Sequence, residues 1–311
     1  MGDVAKWSQY GGNSDFVIIG YIKLIPFLLR LRYDFCGINK NIRSYIMAIH
    51  PTAIIHEGAK LGADCKIGPY CIIGPNVVLG DRVELVSHVV IDGKTSIGDD
   101  SIVYPFAVLG VMSQDLKWQD EATMTGLRIG KRCRIREYAT IHSGTPASDG
   151  TVIGDDCQIM VNAHVGHDCK VGNSVVMSNL VQVAGHVEIE DFAILSGGVM
   201  VLQFARIGRN AFIGGMSGVG NDVLPYAIYD GNRAVYRTIN RVGLMRHGFT
   251  NEDMHAIHSV YSAVFRGGEG TVTERLGRVR KEVKNNKYAM DAIDFIENRS
   301  KRGIGTSKNA E

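Results

Sequence analysis

The chain is poor in several things. Of its 311 residues only seven are proline and two are tryptophan, and aromatic residues make up 8%. Neither sign of charge dominates: 34 Lys and Arg stand against 32 Asp and Glu, a net charge of +2. That balance gives no electrostatic reason to expect a nucleic-acid partner. Six cysteines occur without a Cys-x-x-Cys pair, so the sequence carries no zinc-ribbon or thioredoxin-type signature, and a reducing compartment is compatible. There is no long apolar run. Residues 16–29 come nearest, but Lys23 and Pro26 interrupt them, and a membrane helix needs roughly 20 predominantly apolar residues. No integral span is expected. No small-residue cleavage site follows that run, which argues against a signal peptide. A surface anchor flanked by Arg30 and Arg32 is one reading of residues 1–46. The reading adopted is that Met47 is the true start and that 1–46 are an N-terminal extension outside the fold.

Glycine, in contrast, is abundant, with 37 residues, and it falls in a pattern. Between positions 153 and 219 every sixth residue is aliphatic or Met, as in Ile153, Ile159, Val165, Val171, Met177 and Val183. Two positions before each stands a small or β-branched residue, such as Cys157, Ala163, Cys169, Val175 and Val181. The same step runs from Ile55 to Leu109 and is interrupted twice, over residues 111–127 and 143–150. Such a hexad is the mark of a parallel β-helix. Residues two apart share one face of a strand, so both positions point inward. Three hexads make a triangular coil of about eighteen residues, stacked at roughly 4.8 Å. The Gly that often follows the aliphatic residue, as at Gly154, Gly166 and Gly172, suits a corner needing unusual dihedrals or room. Cys65, Cys71, Cys133, Cys157 and Cys169 all fall on the inward small position and read as core residues rather than disulfides or metal ligands.

Stepping by eighteen sorts the outward residues into columns. Lys170, Glu188 and Arg206 form a charged, solvated one; Val176, Ile194 and Phe212 an apolar one, the candidate subunit interface. His164, Gln182 and Met200 mix polar and apolar, as a ligand groove does. Beside them His167, Gly185 and Gln203 form a further column, so that His164, His167 and His186 converge on one edge next to a glycine. Loops ejected from a regular scaffold are common carriers of function, which singles out 111–127. Beyond Pro225 the pattern turns helical: a basic helix over residues 237–246, a capping-box-like Thr250–Asn251–Glu252–Asp253 before a helix running to about Arg266, and helices near 271–284 and 287–299. The tail from Ser300 is expected to fray.

The motifs NAHVGHDCKVG (162–172), AGHVEI (184–189) and SQDLKW (113–118), with the C-terminal helices, give the chain from Met47 to about Ile304 a specific likeness. It resembles the UDP-N-acetylglucosamine acyltransferases that open lipid A biosynthesis. The resemblance implies a left-handed parallel β-helix over 47–225, a C-terminal α-helical domain over 226–311, a cytoplasmic homotrimer with sites between subunits, and no cofactor or metal. It implies transfer of an (R)-3-hydroxyacyl group from acyl carrier protein to the 3-hydroxyl of UDP-N-acetylglucosamine. His167 matches the family's general base, Asp168 its orienting partner, and the Gly185 backbone N–H the oxyanion donor. Gln114, Asp115, Lys117, His142, His164, His186 and Gln203 match substrate-binding positions, as do Asn240 and Arg246 in the helical cap. Gly215 matches the position that sets acyl-chain length, and a glycine there implies a long chain. Arg237, Arg241 and Arg246 are candidates to face the acidic carrier protein.

Two departures bear on the nucleotide contacts: Leu202 replaces a common histidine before Gln203, and Arg246–His247 an Arg-Arg pair. Two alternatives stay open. One is a 3-amino sugar nucleotide as acceptor, giving an amide. The other is a metal-dependent enzyme of the carbonic-anhydrase type, for which His164 and His167 lack an obvious third ligand.

Overall fold

The computed structural model describes residues 49–266, 269–298 and 300–304. The expectation for residues 1–46 lies outside them. From Ile54–Ile55 to Gly218–Val219 the chain makes strands of two or three residues. Each pairs in parallel with strands of the adjacent coils, and they collect into three sheets of nine, eight and eight strands, the last brought to ten by two strands that follow the coils. The register confirms the eighteen-residue coil: His164 pairs with Gln182, Lys170 with Glu188 and Val176 with Ile194. Both inward positions of each hexad are buried through most of the stack, and the five cysteines among the described residues lie free in that core. Burial pushes the Cys169 thiol up to about 12, which removes it as a nucleophile at neutral pH.

The glycine after the aliphatic position is there for room, not for dihedral freedom. Gly154, Gly166 and Gly172 have ordinary φ, but a Cβ on Gly154 would meet the Gly172 carbonyl carbon at 2.6 Å, and one on Gly166 the Gly185 nitrogen at 2.8 Å. The left-handed residue of most corners comes two positions later and is not glycine: Asp156, Asn162, Asp168, Leu180 and His186 have φ between 58° and 65°, while Gly198 takes that place in its own corner. Such a conformation costs about 1–2 kcal/mol per residue. It is held by bonds between coils, as where the His186 N–H donates to the His167 carbonyl at 2.9 Å.

The helical region begins later than the sequence suggests. Ala227–Asp230 extends the ten-stranded sheet, parallel to Phe212–Ile213, and Val235–Ile239 folds back antiparallel to it. Ala227 and Tyr229 are buried while Ile228 and Asp230 are not, a period of two that keeps the segment in strand form. Arg237 therefore sits on a strand, and the basic helix shortens to α1, Arg241–Arg246, capped by Asn240. Then follow α2 (Asn251–Phe265), α3 (Val272–Glu282) and α4 (Lys287–Glu297). Thr250 and Asp253 form the anticipated capping box, and Met254, Ile257, Val260 and Tyr261 give α2 its buried face. A second box, Thr271 with Glu274, opens α3.

Nor is the start of the tail frayed. Ser300 donates from its N–H and hydroxyl to the buried Asp222 carboxylate at 2.7 and 2.6 Å, and the Asp222 N–H donates to the Gly303 carbonyl at 2.7 Å. A buried carboxylate must find donors, and the returning tail supplies them. Among the described residues no helix is long and apolar enough to cross a membrane.

Candidate active site

Both interruptions of the repeat leave the helix at one corner. The first lies between Val108–Leu109 of the nine-stranded sheet and Leu127–Ile129 of the eight-stranded one; the second between Thr140–Ile141 and Thr151–Ile153 of the same two sheets. The next turn of that corner carries His167 and Asp168, followed by Gly185 with His186, Gln203 with Phe204, and Asn221 with Asp222. Counting by coil thus brings two loops, the histidine motifs and the anchor of the tail to a single edge.

A cleft of about 860 Å³ opens over the outer face of the nine-stranded sheet beside this edge. Gln114, Asp115, Lys117, His142, His164, His167, Gly185 and Gln203 line it, with Met200, Met216, Asn232 and Arg233 toward the C-terminal coils. Those eight residues, far apart in sequence, are assembled as the motifs suggest. In the first loop the Asp115 carboxylate accepts the Lys117 N–H at 3.0 Å, and the Asp115 N–H donates to Ser113 Oγ at 3.0 Å. This tight turn holds the neighbouring Gln114 and Lys117 on the cleft wall.

At the edge, His167 Nδ1 lies 2.7 Å from Asp168 Oδ2. The Asp168 side chain is fully buried. It also accepts the Thr145 N–H at 2.8 Å, the Thr145 hydroxyl at 2.7 Å and the Ser148 hydroxyl. Burial by itself would raise its pKa. The His167, Ser148 and Thr145 donors outweigh that and hold the carboxyl well below the usual carboxylate range. An ionised Asp168 fixes the proton of His167 on Nδ1 and leaves Nε2 with a free lone pair. That nitrogen faces Gly185, where a Cβ would sit 2.5 Å from it. The Gly185 N–H makes no hydrogen bond among the described residues, so an unused donor stands next to the imidazole.

The other histidines differ in setting. His142 is buried, its Nδ1 has no partner among the described residues, and its ring meets that of His164 edge-on at 4.8 Å. Burial first, then the charges of His164 and His167, bring its pKa down to about 4. His164 shares a 2.7 Å bond between Nδ1 and Thr140 Oγ1, and burial lowers its pKa as well. His186 does not line the cleft. It lies behind Asp168, with Nε2 3.5 Å from Oδ2 and its ring stacked on Phe204 at 4.6 Å.

His167, Asp168 and His186 offer ligand atoms within 4.8 Å of one another. A cation there would compete with a carboxylate already taking hydrogen bonds on both oxygens, two from hydroxyls and one from a peptide N–H. The donor set fits an orienting carboxylate better than a metal ligand.

Asn240 and Arg246, like His186, lie off the cleft. Asn240 is turned to structure: its amide donates to the Asn210 carbonyl at 2.9 Å and accepts the Gly243 N–H at 3.1 Å as a helix cap. Arg246 is exposed in the last turn of α1. His247, next to it, contacts Phe192, which belongs to the corner between the eight- and ten-stranded sheets. That is a different edge of the prism from the one carrying His167. Gly215 adjoins the far end of the cleft, whose wall includes Gly198 and Met216. A Cβ there would meet only the Gly197 carbonyl oxygen, at 3.4 Å, and its φ is not left-handed, so the backbone does not require glycine. Thr145, Ser148 and Arg233 escaped the sequence reading. Nothing periodic marks hydroxyls in an irregular loop.

A family model described as UDP N-acetylglucosamine O-acyltransferase, domain 2, matches residues 222–305, and bacterial transferase hexapeptide models match 48–81, 58–93 and 150–185. The chain is 44% identical over 259 residues to the acyl-[acyl-carrier-protein]–UDP-N-acetylglucosamine O-acyltransferase of Sinorhizobium fredii, covering 83% of this chain and 95% of that one. Its identity to the Agrobacterium fabrum enzyme of the same name is 42% over 260 residues, with the same shares covered. The crystal structure of Francisella novicida UDP-N-acetylglucosamine acyltransferase superposes with a TM-score of 0.80 at 39% identity, covering 84% of this chain and 95% of that one. With fold and sequence in agreement over nearly the whole length of these relatives, the chain belongs to the acyl-[acyl-carrier-protein]–UDP-N-acetylglucosamine O-acyltransferase family.

Proposed function

We propose that the chain transfers an (R)-3-hydroxyacyl group from acyl carrier protein to the 3-hydroxyl of the glucosamine in UDP-N-acetylglucosamine, the opening step of lipid A biosynthesis, in the cytoplasm. The observation that carries the mechanism is the placing of His167: Nδ1 on Asp168 at 2.7 Å, Nε2 toward the open side of Gly185. A sugar hydroxyl is a weak nucleophile. His167 Nε2 takes its proton as the oxygen attacks the thioester carbonyl, a contribution of about 10²–10⁴-fold for a well-placed base. The carbon–oxygen bond forms, and the Gly185 N–H donates to the resulting oxyanion. Collapse breaks the carbon–sulfur bond, and the imidazolium returns its proton to the leaving thiolate. The pantetheine thioester belongs to the substrate, and the scheme uses no cofactor.

Gln114, Asp115, Lys117, His164 and Gln203 present polar groups for the sugar and diphosphate along the cleft. Asn240 and Arg246 sit on another edge of the same prism, so they reach a sugar nucleotide only if a neighbouring subunit offers them. A homotrimer packed edge to cleft meets that requirement. Arg241 and Arg246 on α1, with Arg237 on the strand before it, supply positive charge for the acidic carrier protein.

The test is a panel of acyl carrier protein donors and sugar-nucleotide acceptors with purified protein, run beside His167→Ala. Ester formation on UDP-N-acetylglucosamine, lost in the variant, is the expected result. Full activity without His167, or acylation confined to a 3-amino acceptor, would require another account.

A further inference from the structure

A regular corner of this helix needs four residues, as in 166–169; the corner after Ile141 has nine, 142–150. The surplus is not idle. The loop folds over the adjacent coil and delivers a peptide N–H and two hydroxyls to one buried carboxylate, that of Asp168. The loop is in turn tied to the first interruption. The Gly144 N–H donates to the Gly126 carbonyl at 2.9 Å, and the Thr125 N–H to the Gly144 carbonyl at 3.0 Å.

The direction of each hydroxyl proton is set. Thr145 Oγ1 accepts the Ala147 N–H at 3.2 Å, and Ser148 Oγ accepts the Gly150 N–H at 3.1 Å. A hydroxyl has one proton to give. With a peptide N–H already directed at the oxygen, that proton goes to Asp168. From the other side, the Asp168 N–H donates to Thr151 Oγ1 at 2.9 Å. The carboxylate is thus gripped by side chain and backbone at once. The oxygen that accepts the Thr145 hydroxyl, Oδ2, is the one that faces His167 Nδ1.

We propose that Thr145 and Ser148 are positioning residues for the acyl transfer: the 142–150 loop is a lock that fixes the Asp168 carboxylate and, through it, the tautomer and aim of the His167 imidazole. The proposal rests on the reading of His167 as base. It assigns the second interruption of the repeat a task in the chemistry without contact to substrate. The bland alternative is that Asp168 merely ties down a loop. The two differ in what they move. Loop-tying alters stability and leaves turnover per folded molecule unchanged. A lock on the base alters kcat and its pH dependence and leaves acceptor KM alone.

The experiment compares Thr145→Val, Ser148→Ala, Thr145→Ser, Ser148→Thr and His167→Ala in the full chain. Thr145→Val keeps the peptide N–H and removes only the hydroxyl. Steady-state kinetics are taken across pH, with melting temperatures in parallel. The expected result is a fall in kcat of about 10-fold or more for Thr145→Val and Ser148→Ala, in line with loss of alignment in a preorganised site. Acceptor KM stays within about twofold, and the hydroxyl-retaining variants recover activity to within roughly threefold. The pH profile of kcat changes with it, because the carboxylate that faces the ring has lost donors. The other titratable groups around the pair are His142, His164, His186 and Asp115, unchanged in every variant.

Wild-type kcat and pH profile in Thr145→Val and Ser148→Ala, with His167→Ala inactive, overturns the lock and leaves the base assignment standing. So does a loss confined to melting temperature. An active His167→Ala overturns the base reading and the lock together. Should Thr145→Val fail to fold, Ser148→Ala against Ser148→Thr decides the matter.

Discussion

A side chain on Gly185 would collide with the imidazole of His167, eighteen residues earlier: a Cβ there falls 2.5 Å from Nε2. The φ of Gly185 is ordinary, so the glycine is there to leave space for the imidazole. Gly185→Ala is expected to fold, with little change in melting temperature, and to lower kcat by about 10–100-fold, since a displacement of about 1 Å in a catalytic group can cost that much. An unchanged kcat would show that the ring relaxes without penalty.

The buried histidines make stability depend on pH. His142 is held at about 4 by burial and by the nearby His164 and His167, against an ordinary value of 6.5; His164 and His186 are lowered too. Between about pH 4 and 6.5 the unfolded chain therefore binds a proton at His142 that the folded chain does not, and His164 and His186 act in the same direction. The stabilising term is complete above roughly 6.5 and disappears as pH falls toward 4. A tenfold difference in proton affinity is worth about 1.4 kcal/mol, so His142 contributes on the order of 1–3 kcal/mol. Urea midpoints at pH 7 and pH 5 should converge in His142→Gln relative to wild type; an equal acid loss in both would sink this account.

At the far end of the cleft, Gly215 has space around it. A Cβ would touch only the Gly197 carbonyl oxygen at 3.4 Å, so Gly215→Met is expected to fold and, on the reading of Gly215 as the position that sets acyl-chain length, to shorten the chain the cleft accepts. Activity with long 3-hydroxyacyl donors should fall by at least about tenfold relative to short ones, the range that filling a hydrophobic pocket commands. Competition between donors of two chain lengths measures it. A wild-type protein already preferring the short donor would refute the reading.

Asp222 joins the tail to the last coil. It is buried and accepts the Ser300 N–H and hydroxyl and the Arg206 N–H, the last at 3.0 Å. Arg302, two residues along the tail, donates to the Gln203 carbonyl at 2.8 Å, beside the cleft. Asp222→Ala strands these donors and should destabilise the protein by roughly 2–4 kcal/mol, the cost of leaving buried groups unpaired. Denaturant unfolding gives the size. In a double-mutant cycle Ser300→Ala should be nearly silent in the Asp222→Ala background, and additive effects would show that the two residues do not interact.

The coil itself was open to view in the amino-acid order. Alternation within a strand and a corner every six residues are local properties of the backbone, so Val165, Val183 and Val201 declare their inward facing, and counting eighteen from His167 arrives at Gly185. The same local logic placed the Thr250–Asp253 capping box and the buried face of α2. Where local signals conflict or lapse, folding in three dimensions decided. Residues 227–239 remain strands because the ten-stranded sheet offers an edge for them to pair with. The tail holds at Ser300 because a buried Asp222 needs donors. Thr145 and Ser148 reach Asp168 across some twenty residues of irregular loop and strand, a closure that no period encodes. Asn240 and Arg246 occupy a different edge from His167 because the angle between faces is a property of the closed prism. Spacing along the chain fixes which residues share a column; only the packed coils determine which columns share a site.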